Sequence, residues 1–98
     1  MAYEIEYTEA AIRDLEWLKR NEQVIVLSAV DEQLRYDPTI ETRNKKHLRS
    51  NDTAEWELRV GVFRVLYDVD DVVRIVEVQR VGKKPSHRYM FRGQEEEL

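Results

Sequence analysis

The sequence predicts an α+β domain in the order β-α-α-β-β-β, with two N-terminal antiparallel helices packed on one face of a mainly antiparallel sheet. Three observations lead there. Apolar and charged residues alternate near the start of the chain and again through its second half, the period of half-buried strands. Between them lie two stretches with apolar residues at helical spacing. Gly61, Asp70-Asp71 and Gly82 divide the second half at hairpin intervals. Ninety-eight residues suit one domain, read here as residues 1–92 followed by an acidic C-terminal tail, 93–98.

The first strand is Tyr3-Glu4-Ile5-Glu6-Tyr7. Thr8 follows as the N-cap of a helix, because its hydroxyl can accept from an orphan amide of the next turn. Ala11, Ile12, Leu15 and Leu18 recur along that helix with Trp17 beside them as a core residue, while Arg13, Asp14, Glu16 and Lys19 point outward. Asn21 interrupts the pattern, and Val24, Leu27, Val30, Gln33 and Leu34 line one side of a second helix. Asp37-Pro38 ends it, since proline disfavours the α conformation in the residue before it. Thr39 to Thr53 reads as a polar, basic loop anchored by Leu48. Trp56, Leu58 and Val60 then alternate with Glu55, Glu57 and Arg59, and Gly61 makes a tight turn. Phe63, Val65, Tyr67 and Val69 alternate with Arg64, Leu66 and Asp68, and a last strand runs from Val72 to Val81.

Charge is distributed unevenly. Residues 1–40 carry four basic and nine acidic side chains, whereas residues 41–92 carry twelve basic and eight acidic, on a chain of net charge −4. A basic half on an acidic chain points to one face made for phosphate, although small domains also show such unevenness without a ligand. With no cysteine and two histidines, thiol chemistry is excluded and neither a resident metal nor another cofactor is expected. No apolar run suits a bilayer and the first residues lack the pattern of a secretory signal, so a cytoplasmic protein without membrane contact is expected.

Several residues are suited to work on a phosphodiester. Arg64, mid-strand and opposite in facing to Phe63 and Val65, is either a solvated charge or a phosphate clamp. Lys83-Lys84-Pro85-Ser86-His87-Arg88-Tyr89 is either a polar terminus or an anion site. Cleavage by the neighbouring 2′-hydroxyl needs a base, an acid for the leaving 5′-oxygen and positive charge on the phosphorane. Arg64 and Lys84 can supply the charge, and His87 or Tyr89 can move the protons. Glu55 and Glu57 are a general base or simply the polar face of a strand. Lys45, Lys46, His47, Arg49, Arg59, Lys83 and Arg88 form the expected RNA-facing set, and Trp56 and Tyr89 are packing residues or stacking platforms.

The segment from Trp56 to Tyr67, Trp-Glu-Leu-Arg-Val-Gly-Val-Phe-Arg-Val-Leu-Tyr, is followed by an aspartate-rich turn, an apolar strand and Val81-Gly82-Lys83-Lys84. Together with the Tyr-Glu-Ile opening and a second helix closed by Asp-Pro, it resembles the RelE/ParE superfamily of bacterial and archaeal toxins over about residues 2–91. The resemblance implies a microbial-ribonuclease-like fold and the toxin of a type II toxin–antitoxin pair, held by a cognate antitoxin. Its RelE branch cuts mRNA in the ribosomal A site without metal, and its ParE branch instead poisons DNA gyrase. A third expectation is a catalytically degenerate antitoxin-binding module. By resemblance Arg64 stabilises the phosphate, Lys83 or Lys84 supplies further charge, and Tyr89 orients or activates the 2′-hydroxyl. His87 and His47 match histidines of other branches. Glu55 and Glu57 stand where the best-known RelE enzyme has lysines.

Overall fold

A computed structural model describes residues 2–98. Strand β1 (Glu4–Tyr7) leads into helix α1 (Glu9–Trp17), whose first turn is capped by Thr8: its hydroxyl accepts from the Ala11 amide at 3.1 Å. Helix α2 (Arg20–Leu34) follows after a corner at Leu18-Lys19. The break therefore precedes Asn21, which lies inside α2. Glu22 makes it possible by accepting from the Lys19 amide at 3.0 Å, closing the first turn of α2.

The three later strands expected from the sequence are β3 (Trp56–Val60), β4 (Phe63–Asp70) and β5 (Ile75–Lys83). Three short ones are added: β2 (Lys45–His47) within the basic stretch read as a loop, and β6 (Tyr89–Phe91) and β7 (Gln94–Glu96) after β5. The last of these lies in the segment read as an acidic tail. Antiparallel pairing runs in the order β2-β3-β4-β5-β6-β7, and β1 joins parallel beside the first half of β5. Strand β5 begins three residues later than expected, because Asp70 caps a turn in which its carboxylate accepts from the amides of Val72 and Val73.

Both helices cover one face of this sheet. Tyr3, Ala11, Leu18, Val26, Val30, Leu34, Leu58, Val65, Tyr67, Val76, Val78 and Val81 form the main core, with Trp56 stacked on Tyr67. The α2 stripe is Val26-Val30-Leu34, so Val24 and Leu27 are exposed rather than buried. Trp17, expected in the core, is 54% exposed, and Asp14, expected outside, is 1% exposed. The register of α1 explains both: spacing of three from Ala11 turns residue 14 inward, and four N–H donors from β5 and the β6–β7 turn are waiting for it. Asp14 accepts from Arg80 Nε at 2.8 Å, from the Val81 amide at 3.0 Å and from Arg92 Nε at 2.9 Å.

On the other face, β6 and β7 fold back over the sheet, and Phe91, Leu66 and Ala54 make a second small core with Leu48 and Tyr89 packed against it. Gly82 permits this. A Cβ there would stand 2.6 Å from the Met90 carbonyl oxygen and 2.6 Å from the Phe91 ring.

Candidate RNA-cleavage site

The register places Glu57 and Arg59 on the open face with Arg64 and Leu66. Arg59 faces Arg64 directly, Glu57 faces Leu66 on one side and Lys46 on the other. Like charges directly opposite each other weaken a sheet, so the Arg59–Arg64 pair is a cost that an anionic ligand would relieve.

Neither Glu57 nor Arg64 is the solvated strand residue that alternation alone suggests; they are 6% and 8% exposed. The hairpin β6–β7 covers them, which sequence periodicity cannot register. The Arg64 guanidinium is held by its Nη1, which donates to the carbonyls of Gly61 at 2.7 Å and Phe63 at 2.8 Å. Its Nε and Nη2 hydrogens find no protein acceptor, yet no buried side-chain polar atom among the described residues lacks a partner. Those donors therefore reach solvent, and they are the half of the fork left open to an anionic partner.

Tyr89 comes from β6 and donates its phenolic hydrogen to Glu57 Oε1 in a short contact. The Lys84 ammonium stands 4.4 Å from the centre of the Tyr89 ring, and the Phe91 ring stacks with it at 6.1 Å. Burial, and after it the bond to Glu57, pushes the Tyr89 phenol well above its ordinary range, while Arg64 pulls it back slightly. Tyr89 thus stands as a hydrogen-bond donor to Glu57.

Beside this cluster runs an open groove of ≈ 420 Å³ lined by Lys46, His47, Leu48, Arg49, Lys84 and Tyr89, among others. Lys46, Arg49, Arg59, Arg64 and Lys84 have no carboxylate partner among the described residues. Most cations elsewhere on the sheet and helices do: Lys83 pairs with Glu22 at 3.3 Å, Arg88 with Glu95 at 3.1 Å, Arg35 with Asp31 at 2.9 Å. Five cations without a carboxylate partner therefore share this face.

The expected residues divide accordingly. Arg64, Glu57, Tyr89 and Lys84 come together, with Arg59 opposite Arg64 and Lys46, His47 and Arg49 along the groove. Lys45 does not join them: it is 6% exposed on the helix side, and its ammonium donates to the carbonyls of Asp37 at 2.7 Å and Gln33 at 3.3 Å. Alternation along β2 turns it away from the groove that Lys46 faces, where the unpaired carbonyls after α2 need a donor. Lys83 and Arg88 are engaged by acids, and His87, at φ 65° in the β5–β6 turn, lines the adjoining hollow with Tyr89, Glu95, Glu96 and Glu97. His47 stands edge-on to Trp56 at 5.1 Å and 3.7 Å from Glu55. Phe91 and Leu98, which pack on Tyr89 or border the groove, carry no local sequence signal for it; only the C-terminal fold-back brings them near.

No protein-family model and no curated protein sequence matches the chain. Solved structures do. A chain of the toxin–antitoxin complex RelBE2 from Mycobacterium tuberculosis superposes with a TM-score of 0.74 at 29% identity, over 85% of this chain and 99% of that one. A mutant of the E. coli toxin RelE in the free state gives 0.61 at 26%, over 87% and 86%. This chain is a RelE-like member of the RelE/ParE superfamily. The RelE fold extends to the archaeal RelE–RelB complex from Pyrococcus horikoshii, where a chain matches with a TM-score of 0.69 at 18% identity, over 87% of this chain and 98% of that one. In this RelE-like chain the expected two helices on a curled antiparallel sheet are present. No helix among the described residues is long and apolar enough to cross a membrane.

Proposed function

We propose that this protein is the toxin of a type II toxin–antitoxin pair and that it cuts messenger RNA on the ribosome by attack of a 2′-hydroxyl on its own phosphorus. The observation that carries the reading is the cluster itself: two facing arginines and a lysine without acidic partners, set beside a carboxylate that a phenol holds in place. In the proposed step Glu57 takes the proton of the 2′-hydroxyl as the new oxygen–phosphorus bond forms. The bond from phosphorus to the 5′-oxygen breaks, leaving a cyclic phosphate and a 5′-hydroxyl. His47, in the adjoining groove, returns a proton to the 5′-oxygen. Arg64, Arg59 and Lys84 meet the charge gathered on the phosphorane, where fixed donors act most strongly. Tyr89 keeps Glu57 aimed.

Two of the structural neighbours are toxin–antitoxin complexes, which supports a cognate antitoxin as the partner. The ribosome as the place of action follows from the sequence resemblance.

The test is expression in bacteria without a partner, with mapping of new mRNA 5′ ends and an Arg64→Ala control. Cuts within translated codons that disappear in the control are expected. Growth arrest with intact messages and impaired supercoiling would replace this reading with gyrase inhibition, and harmless expression of a folded protein would leave a binding module.

A further inference from the structure

We propose that the groove beside Tyr89 binds an acidic, leucine-bearing peptide segment in competition with RNA, and that Glu97-Leu98, where the chain leaves β7, are that segment. The inference rests on the RNA-binding reading of the groove and adds a second occupant to it.

The placement is built by the sheet. Strand β7 pairs with β6 so that Glu96 lies opposite Tyr89 and Glu95 opposite Met90. Two ion pairs fix this register: Glu96 with Arg80 at 3.1 Å and Glu95 with Arg88 at 3.1 Å. The chain leaving β7 then delivers Leu98 to the groove, where it forms part of the lining with Lys46, Leu48, Lys84 and Tyr89. Glu97 and the other glutamates border the adjoining hollow, which shares Tyr89 with the groove. An apolar side chain thus borders the groove, and Glu97, which has no cation partner among the described residues, borders the adjoining hollow, while Glu95 and Glu96 stay paired with Arg88 and Arg80. Charges within about 8–10 Å of each other interact at physiological salt. In the proposed competition, polynucleotide filling the groove meets Leu98 at its wall and the Glu97 carboxylate beside it. A site occupied part of the time by its own chain shows an affinity lowered by the free fraction.

The test uses a fluorescent single-stranded 2′-O-methyl RNA, which has no free 2′-hydroxyl to react, titrated with the intact chain and with the double variant Glu97→Gln/Leu98→Ala. The variant is expected to bind about three- to tenfold more tightly, and added RNA is expected to shift the Leu98 methyl resonances of the unaltered chain. The control, Glu4→Gln/Glu6→Gln on β1, removes more charge at a distance from the groove and is expected to leave the affinity near that of the unaltered chain. Equal affinity of all three proteins would overturn the competition while leaving the RNA-binding reading intact. Equal tightening by the control would reduce the effect to net charge and overturn it as well. Absence of RNA binding in every protein, with folding verified, would overturn both the competition and the reading on which it rests.

Discussion

The Tyr89 hydroxyl donates to Glu57 across a sheet in which β6 and β3 are not neighbours; β4 and β5 lie between them. Three strand spacings in a flat sheet amount to about 14 Å. Only the curl of the sheet and the fold-back of β6 bring the two side chains together. The pair therefore reports both the fold and the site.

Replacing Tyr89 by Phe leaves Glu57 buried without its donor. A loss of about 1–3 kcal/mol is expected from the unpaired polar group, with mRNA cleavage strongly reduced. Glu57→Gln keeps an acceptor for the phenol and should cost less stability, but it removes the proposed base and should lose cleavage entirely. Denaturant unfolding alongside 5′-end mapping separates the two effects.

Arg64→Ala should lower cleavage by about a hundredfold or more, the cost of removing one fixed donor from developing charge. Its two bonds inside the protein go to turn carbonyls at Gly61 and Phe63, so the stability change should be small, about 1 kcal/mol. Arg64→Lys keeps the charge without the fork and should recover only part of the rate. Cleavage rates in a reconstituted translation reaction provide the measurement.

Asp14→Ala should be the most damaging substitution for the C-terminal hairpin. Arg80, Arg92 and the Val81 amide all lose their common acceptor, and breaking a buried ion pair from one side costs about 3–5 kcal/mol. Thermal unfolding should shift sharply downward, and hydrogen exchange should rise first in β6 and β7.

Gly82→Ala pushes a methyl group against the Met90 carbonyl and the Phe91 ring. Overpacking of this kind costs about 1–3 kcal/mol. Because Phe91 stacks on Tyr89, the substitution should also reduce cleavage, whereas Gly61→Asn, at a turn with open space around the added Cβ and a φ that asparagine tolerates, should be milder. Comparing the two melting temperatures checks this.

The tyrosines set the alkaline limit. Burial and the Glu57 bond raise Tyr89, burial raises Tyr67, burial and the nearby Asp31 carry Tyr7 to about 12, and the hydrogen bond to Asp71 raises Tyr3. A phenol raised in the folded state favours folding fully below its unfolded pKa and loses that contribution as pH climbs to the folded one. Stability should therefore be insensitive to these groups at neutral pH and fall above about pH 10. Melting curves against pH should show the decline, with the phenolate absorbance appearing together with unfolding. Tyr89→Phe should reduce the steepness.

Much of the outline was legible in the chain because it depends on local periodicity. Alternation from Trp56 to Tyr67 located β3 and β4, the Thr8 hydroxyl marked the start of α1, and Arg64 stood out as a cation within a strand. The corner between the helices was misplaced by Asn21, since the capping role of Glu22 for Lys19 lies in side-chain geometry rather than in residue type. Lys45 looked like its neighbour Lys46, and only the pairing of β2 with β3 separated a buried helix-end donor from a groove cation.

The sequence by itself determined the α+β order, the basic second half and the residue types available for phosphate chemistry, because these follow from nearest neighbours and composition. Tertiary structure alone decided that Asp14 is buried, that Glu57 meets Tyr89, that His87 lines a hollow with Tyr89 and three glutamates, and that Leu98 borders the groove. Each of these depends on β6 and β7, three residues apiece, folding back over the sheet. Strands that short carry too little pattern to announce themselves, and long-range contacts, with Gly82 making room and Asp14 holding the two arginines, are what hold them in place.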